Sequence, residues 1–143
     1  MTQLKTRVSV MLVEDDPAHA ELTLRSIEEL APELCEVVLV RDGQAALDHL
    51  RRAGATLPDV VLLDLRMPRM GGLEVLEVVQ SDAGLKQIPM VVLTTSDADS
   101  DRERALACGA SSYLLKPFGE AELLAVTRLL GCHAFDTQRV PTV

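Results

Sequence analysis

Four apolar runs in this sequence stop on residues that can do chemistry. Val60-Val61-Leu62-Leu63 ends at Asp64, and the run from Val8 to Val13 ends at Glu14 and Asp15. Met90 to Leu93 leads into Thr94, and Tyr113-Leu114-Leu115 leads into Lys116. Short runs of β-branched and leucine residues with abrupt ends read as buried strands. If such strands are parallel, their C-terminal tips share one sheet edge, where open α/β folds gather their chemistry. An acid pair, an acid, a hydroxyl and an amine would then meet. Three carboxylates repel one another at neutral pH unless a hard cation sits among them. Mg²⁺ suits that setting, because it takes few carboxylates and completes its shell with water and phosphate oxygens. Asp64 can then act as a nucleophile toward a phosphoryl group and become an aspartyl phosphate. Lys116 would pair with one phosphoryl oxygen, Thr94 would hydrogen-bond another, and the metal would offset the remaining charge. Each residue alone is commonplace at a strand end. Their shared placement is what points to a site.

The elements that must position them alternate five times between strand and helix patterns. Val8 to Val13 is the first strand. Asp16 can cap the helix that follows, with Pro17 at its first position, and that helix runs to about Leu30. Glu36 to Val40 is the second strand. Asp42-Gly43 opens a helix with Ala46, Leu47 and Leu50 on one side, and Gly54 ends it. The third strand runs from Val60 to Asp64. After a loop from Pro68 to Gly72, the third helix runs from Leu73 to about Ser81, with Glu74, Glu77 and Gln80 keeping one face polar. Met90 to Leu93 is the fourth strand. Ser100 with Glu103 matches a capping box for the fourth helix, and Gly109 stops it. Ser112 to Leu115 is the fifth strand, and Gly119 to Leu130 the fifth helix. Five such units predict an α/β fold: a five-stranded parallel sheet with helices on both faces and right-handed crossovers.

The bulk numbers agree. A chain of 143 residues, 48% of them hydrophobic, suits one domain with an ordinary core. No apolar stretch approaches the ~20 residues that cross a bilayer, and Met1 to Arg7 lacks a signal-peptide apolar region, so the expected location is cytoplasmic. The net charge of −8 disfavours direct nucleic-acid binding. Cys35, Cys108 and Cys132 suggest neither a disulfide framework nor a zinc site. His19, His49 and His133 have no ligand spacing, and His19 and His49 are expected at the surface. No glycine-rich phosphate loop follows the first strand.

At this point the sequence resembles a known family, the receiver domain of two-component response regulators. The resemblance is carried by Leu12-Val13-Glu14-Asp15-Asp16-Pro17, by Leu63-Asp64-Leu65-Arg66-Met67-Pro68 with Met70-Gly71-Gly72, by Leu93-Thr94-Thr95, and by Gly109 to Phe118 with its Tyr113-Leu114-Leu115-Lys116-Pro117 core. It spans about Val8 to Leu130. It implies a flavodoxin-like (βα)5 receiver whose Asp64 accepts phosphate from a partner histidine kinase. It further implies Mg²⁺ held directly by Asp15 and Asp64, by Glu14 through water, and by the backbone carbonyl of Arg66. Thr94 and Lys116 would contact the phosphoryl group, Tyr113 would be the aromatic switch, and the Lys116-Pro117 peptide would be cis. Asp16 is read as the helix cap and not a ligand. The Thr94-Thr95-Ser96 run and the tail resemble the small regulators that pair with phytochrome-type sensor kinases.

Two rivals share these residues. One is a binding module of the same fold that no longer uses phosphate. The other is an aspartyl-phosphate phosphohydrolase, which needs a second Asp two residues after the nucleophile; Arg66 stands there instead, so its proton shuttle is missing. The expected organisation is a receiver over 1–131 with no output domain, and a tail over 132–143. Phe135 in that tail is a costly side chain to leave in water, so a homodimer is expected, formed through the tail or through the face of the fourth helix, fifth strand and fifth helix.

Overall fold

The structure is a computed structural model that describes residues 7–131, apart from 34, 53 and 55. Five strands, β1 (Val8–Val13), β2 (Cys35–Val40), β3 (Val60–Leu63), β4 (Met90–Thr94) and β5 (Ser112–Leu115), alternate with five helices. The helices are α1 (Pro17–Leu30), α2 (Gly43–Arg51), α3 (Gly72–Ser81), α4 (Asp99–Ala107) and α5 (Glu120–Leu130). All pairings are parallel, in the order β2-β1-β3-β4-β5. This is the flavodoxin-like order, and its topological switch point lies between β1 and β3.

Side-chain alternation along the strands builds two cores. Met11, Val13, Val61, Leu63 and Val92 face one way, against Ala46, Leu47 and Leu50 of α2, Val75, Leu76 and Val79 of α3, and Ala105 of α4. Val10, Leu12, Val60, Leu62 and Leu93 face the other way, against Ile27 of α1 and Leu123 and Val126 of α5. Because β1, β3 and β4 are covered on both faces, they read as unbroken apolar runs in the sequence. Among the described residues no helix is long and apolar enough to cross a membrane.

The local signals at two helix starts hold. Asp16 caps α1, accepting from the backbone N–H groups of Ala18 at 2.8 Å and His19 at 3.1 Å, with Pro17 inside the first turn. Asp42 caps α2 by accepting from Ala45 N–H at 2.7 Å. Two expectations need correction. Helix α4 does not start from Ser100: its N-cap is Ala98, which offers no side-chain acceptor, and Ser100 and Glu103 lie within the helix. Helix α2 ends at Arg51, short of Gly54, although Gly54 does take a positive φ of 77°.

Candidate functional site

The strand tips meet as their sequence pattern requires. Asp64 lies one residue past β3, but its N–H still donates to the Val13 carbonyl at 3.2 Å, and Glu14 N–H donates to the Val40 carbonyl at 3.0 Å. The ladder therefore holds both acids at the switch point. One carboxylate oxygen from each of Glu14, Asp15 and Asp64 can lie within 4.8 Å of the others. Glu14 is 1% exposed and Asp64 8% exposed, while Asp15 is half-buried. Helix α3 closes in from below: a Cβ on Gly72 would stand 2.6 Å from the Asp64 carbonyl oxygen, so only glycine lets the helix start this near the acid.

Lys116 enters from β5. Its N–H donates to the Thr94 carbonyl at 2.8 Å, which fixes the two strand tips together. Its Nζ donates to Glu14 Oε1 at 2.5 Å and to Asp64 Oδ2 at 3.4 Å, and the Lys116 side chain is 9% exposed. The other Glu14 oxygen accepts from Asp16 N–H at 3.2 Å. Burial pushes the Glu14 carboxyl above its ordinary value; the hydrogen bond from Lys116 opposes this, and the charge of Asp64 adds to it. The Lys116-Pro117 peptide is cis, as the resemblance implies.

Thr94 is fully buried, and its Oγ1 accepts from Ser96 N–H at 3.4 Å. Tyr113 is buried as well. Its ring packs in the core on the α2, α3 and α4 side, its hydroxyl donates to the Ser96 carbonyl at 2.7 Å, and Arg102 sits 5.0 Å from the ring centroid. The ring is thus turned inward. Arg66 puts its backbone beside Asp64, with its N–H donating to Asp64 Oδ1 at 3.4 Å, while its guanidinium turns outward to Asp101 Oδ2 at 2.7 Å. Ser96 Oγ donates to that same Asp101 oxygen at 2.6 Å. The Ser96 hydroxyl and then Arg66 hold the Asp101 carboxyl below the ordinary carboxylate range.

Three contributors were not found from the sequence. Asp101 links the loop after Asp64 to α4 through Arg66, 35 residues away, and Ser96 joins it from five residues before. His19, expected at the surface, is half-buried with Nδ1 2.9 Å from Lys116 Nζ. Its place in the first turn of α1 was the available signal, because helical side chains lean back toward the N-terminus and so toward the β1 tip. His49, also expected at the surface, is half-buried too. The donor set fits Mg²⁺: oxygen ligands only, two of them buried acids, in an open position at a sheet edge.

With this geometry in view, comparison with known proteins gives one answer. The response regulator receiver domain pattern matches residues 10–128. The chain belongs to that family. A curated relative, the probable methanogenesis regulatory protein FilR2 of Methanothrix harundinacea (strain 6Ac), is 45% identical over 117 residues, spanning 80% of this chain and 75% of its own length. Against several other curated relatives the chain spans about half of their length. Among solved structures, the bacteriophytochrome response regulator AtBRR superposes with a TM-score of 0.76 at 36% identity, over 92% of this chain and 95% of that one. The phosphorylated cyanobacterial phytochrome response regulator RcpA superposes with a TM-score of 0.73 at 34% identity, over 95% and 97%. This receiver is a phosphoacceptor signalling protein with an acidic Glu14, Asp15 and Asp64 cluster at its acceptor site.

Proposed function

We propose that the receiver takes a phosphoryl group onto Asp64 from the phosphohistidine of a sensor kinase, in the cytoplasm, with Mg²⁺ as cofactor. The donor's P–N bond breaks with its electron pair passing to nitrogen, which takes up a proton, and an Asp64 oxygen forms the new O–P bond. Lys116 reaches the acceptor carboxylate and would follow the charge onto a phosphoryl oxygen, with Thr94 as a second donor at the adjoining tip. Asp15, Asp64 and the Arg66 carbonyl are the direct metal ligands in this reading. Both oxygens of Glu14 already serve protein donors, which favours contact through water. Mg²⁺, when bound, supplies positive charge against the phosphoryl oxygens.

The observation that carries this reading is one ammonium bridging the buried acid after β1 and the acid after β3 at the switch point. The test is labelling with phosphoramidate and Mg²⁺. One phosphoryl group should add to the chain, none to Asp64→Asn, and chelation should suppress the reaction. Full labelling of the Asn variant would refute the assignment.

Thr94 and Tyr113 act as the switch, with Tyr113 exchanging between its inward position and a more open one as phosphorylation biases the balance. The kinase is of phytochrome type, a reading supported by the similarity to AtBRR and RcpA. Residues 1–131 form the receiver and 132–143 a tail. The working form is a homodimer that does not bind nucleic acid directly.

A further inference from the structure

The contact between His19 and Lys116 has a chemical consequence. A lysine ammonium has three N–H donors and no acceptor. Here three acceptors surround it: Glu14 Oε1 at 2.5 Å, His19 Nδ1 at 2.9 Å and Asp64 Oδ2 at 3.4 Å. Because Lys116 can only donate, the imidazole must present a bare Nδ1, which puts its own proton on Nε2. The histidine is itself held. Its backbone N–H donates to the Asp16 cap at 3.1 Å, and its side chain borders a cleft of about 290 Å³ between α1 and the Lys116-Pro117-Phe118 segment. The charged groups around the pair are Asp16, Glu14 and Asp64.

We propose that His19 is a positioning residue for phosphoryl transfer to Asp64, acting through Lys116. The two short contacts, to Glu14 and His19, fix two of the three donors. The third and longest is left directed at Asp64, free to pass to a phosphoryl oxygen. His19 neither gives nor takes a proton in the step. This rests on the reading of Asp64 as acceptor, and the experiment separates the two.

Label the full chain with phosphoramidate and Mg²⁺, as wild type, His19→Leu and His19→Asn. Leu keeps bulk without an acceptor, whereas Asn places an oxygen near the Nδ1 position. The maximal rate should fall roughly tenfold in His19→Leu, as for loss of a hydrogen bond to a charged group, and largely recover in His19→Asn. The donor concentration for half-maximal rate should change little. In ¹⁵N spectra the His19 ring should be the Nε2–H tautomer, and Lys116→Met should move its Nδ1 resonance. Equal rates for wild type and His19→Leu, equal loss in both variants, or an Nδ1–H tautomer would each overturn the proposal. A wild-type chain that takes no phosphoryl group would overturn the acceptor reading instead. The tautomer and the Nδ1 response would then still decide whether His19 holds Lys116.

Discussion

Lys116 stands between two acids that burial would otherwise leave in conflict. Glu14 is buried and held above its usual carboxylate value, chiefly by desolvation. Its partner ammonium is the main opposing influence. Removing one member of a buried pair costs about 3–5 kcal/mol, because the remaining charge is left uncompensated. Lys116→Met in chelator should lose stability on that scale at pH 8. A carboxyl whose folded value is raised binds its proton more tightly in the folded state, so its stabilising contribution is present at low pH and disappears as pH rises through the folded value. Losing Lys116 raises Glu14 further, so the deficit of the variant should shrink between pH 8 and pH 5. Urea denaturation of both proteins at the two pH values measures this; an equal deficit at both would show that Glu14 does not depend on Lys116. The acids and the lysine were legible in the sequence because each follows an apolar run. The His19 contact was not, because it joins residues 97 apart and no local pattern encodes it.

Two elements meet the acceptor loop in different ways, and each has its own test. Helix α3 abuts the loop at Gly72, where an added Cβ would meet the Asp64 carbonyl at 2.6 Å and Leu65 Cα at 2.8 Å. Both are backbone atoms, which cannot swing aside. Gly72→Ala should therefore cost about 1–3 kcal/mol, as overpacking does, and slow Asp64 labelling as well. An unchanged melting midpoint and labelling rate would refute that close fit. Helix α4 is the weakly held one: Ala105 is its only buried residue and its N-cap has no side-chain acceptor. Asp101 compensates by joining Ser96 and Arg66 at the helix start. Its carboxyl is held low, so this anchor is present above the ordinary carboxylate range and is lost as pH falls through the lowered folded value. Asp101→Asn should raise amide exchange in α4 several-fold and leave β1 and β3 protected; uniform exchange in both proteins would count against the anchor. The Ser100 and Glu103 pattern misplaced this helix start for the same physical reason. The capping pattern records only local preference, whereas the first turn is tied through Asp101 to Arg66, 35 residues away.

Across the whole molecule, the parts read correctly from sequence are those that repeat. Strands covered on both faces appear as unbroken apolar runs, five alternations leave little freedom of topology, and the acids mark the sheet edge. The starts of β2 and α3 moved by one residue, and α2 stops a few residues short of Gly54, because pairing and packing, not composition, bound an element there. Assembly is less legible, because nothing in an apolar pattern says which surface meets another chain. The tail over 132–143, with Phe135, lies outside the described residues. The alternative face is visible: β5 is an edge strand, and Leu106 on α4 and Leu124 and Leu129 on α5 are exposed large apolar side chains. Among the described residues this edge is flanked by exposed leucines, a surface that a second copy can close with two-fold symmetry, because one patch then serves both chains. Tyr113 sits on β5, so the proposed exchange of its ring between an inward and a more open position would change that patch. Sedimentation at tens of micromolar should therefore give a dimer whose affinity changes on labelling with phosphoramidate. Leu106→Glu should weaken it by placing a charge on the patch, while Asp64 labelling stays intact. Deleting 132–143 or making Phe135→Ala should weaken it if the tail takes part. A monomer in both phosphorylation states would sink the dimer, and a dimer sensitive only to the tail would move the interface off the β5 edge.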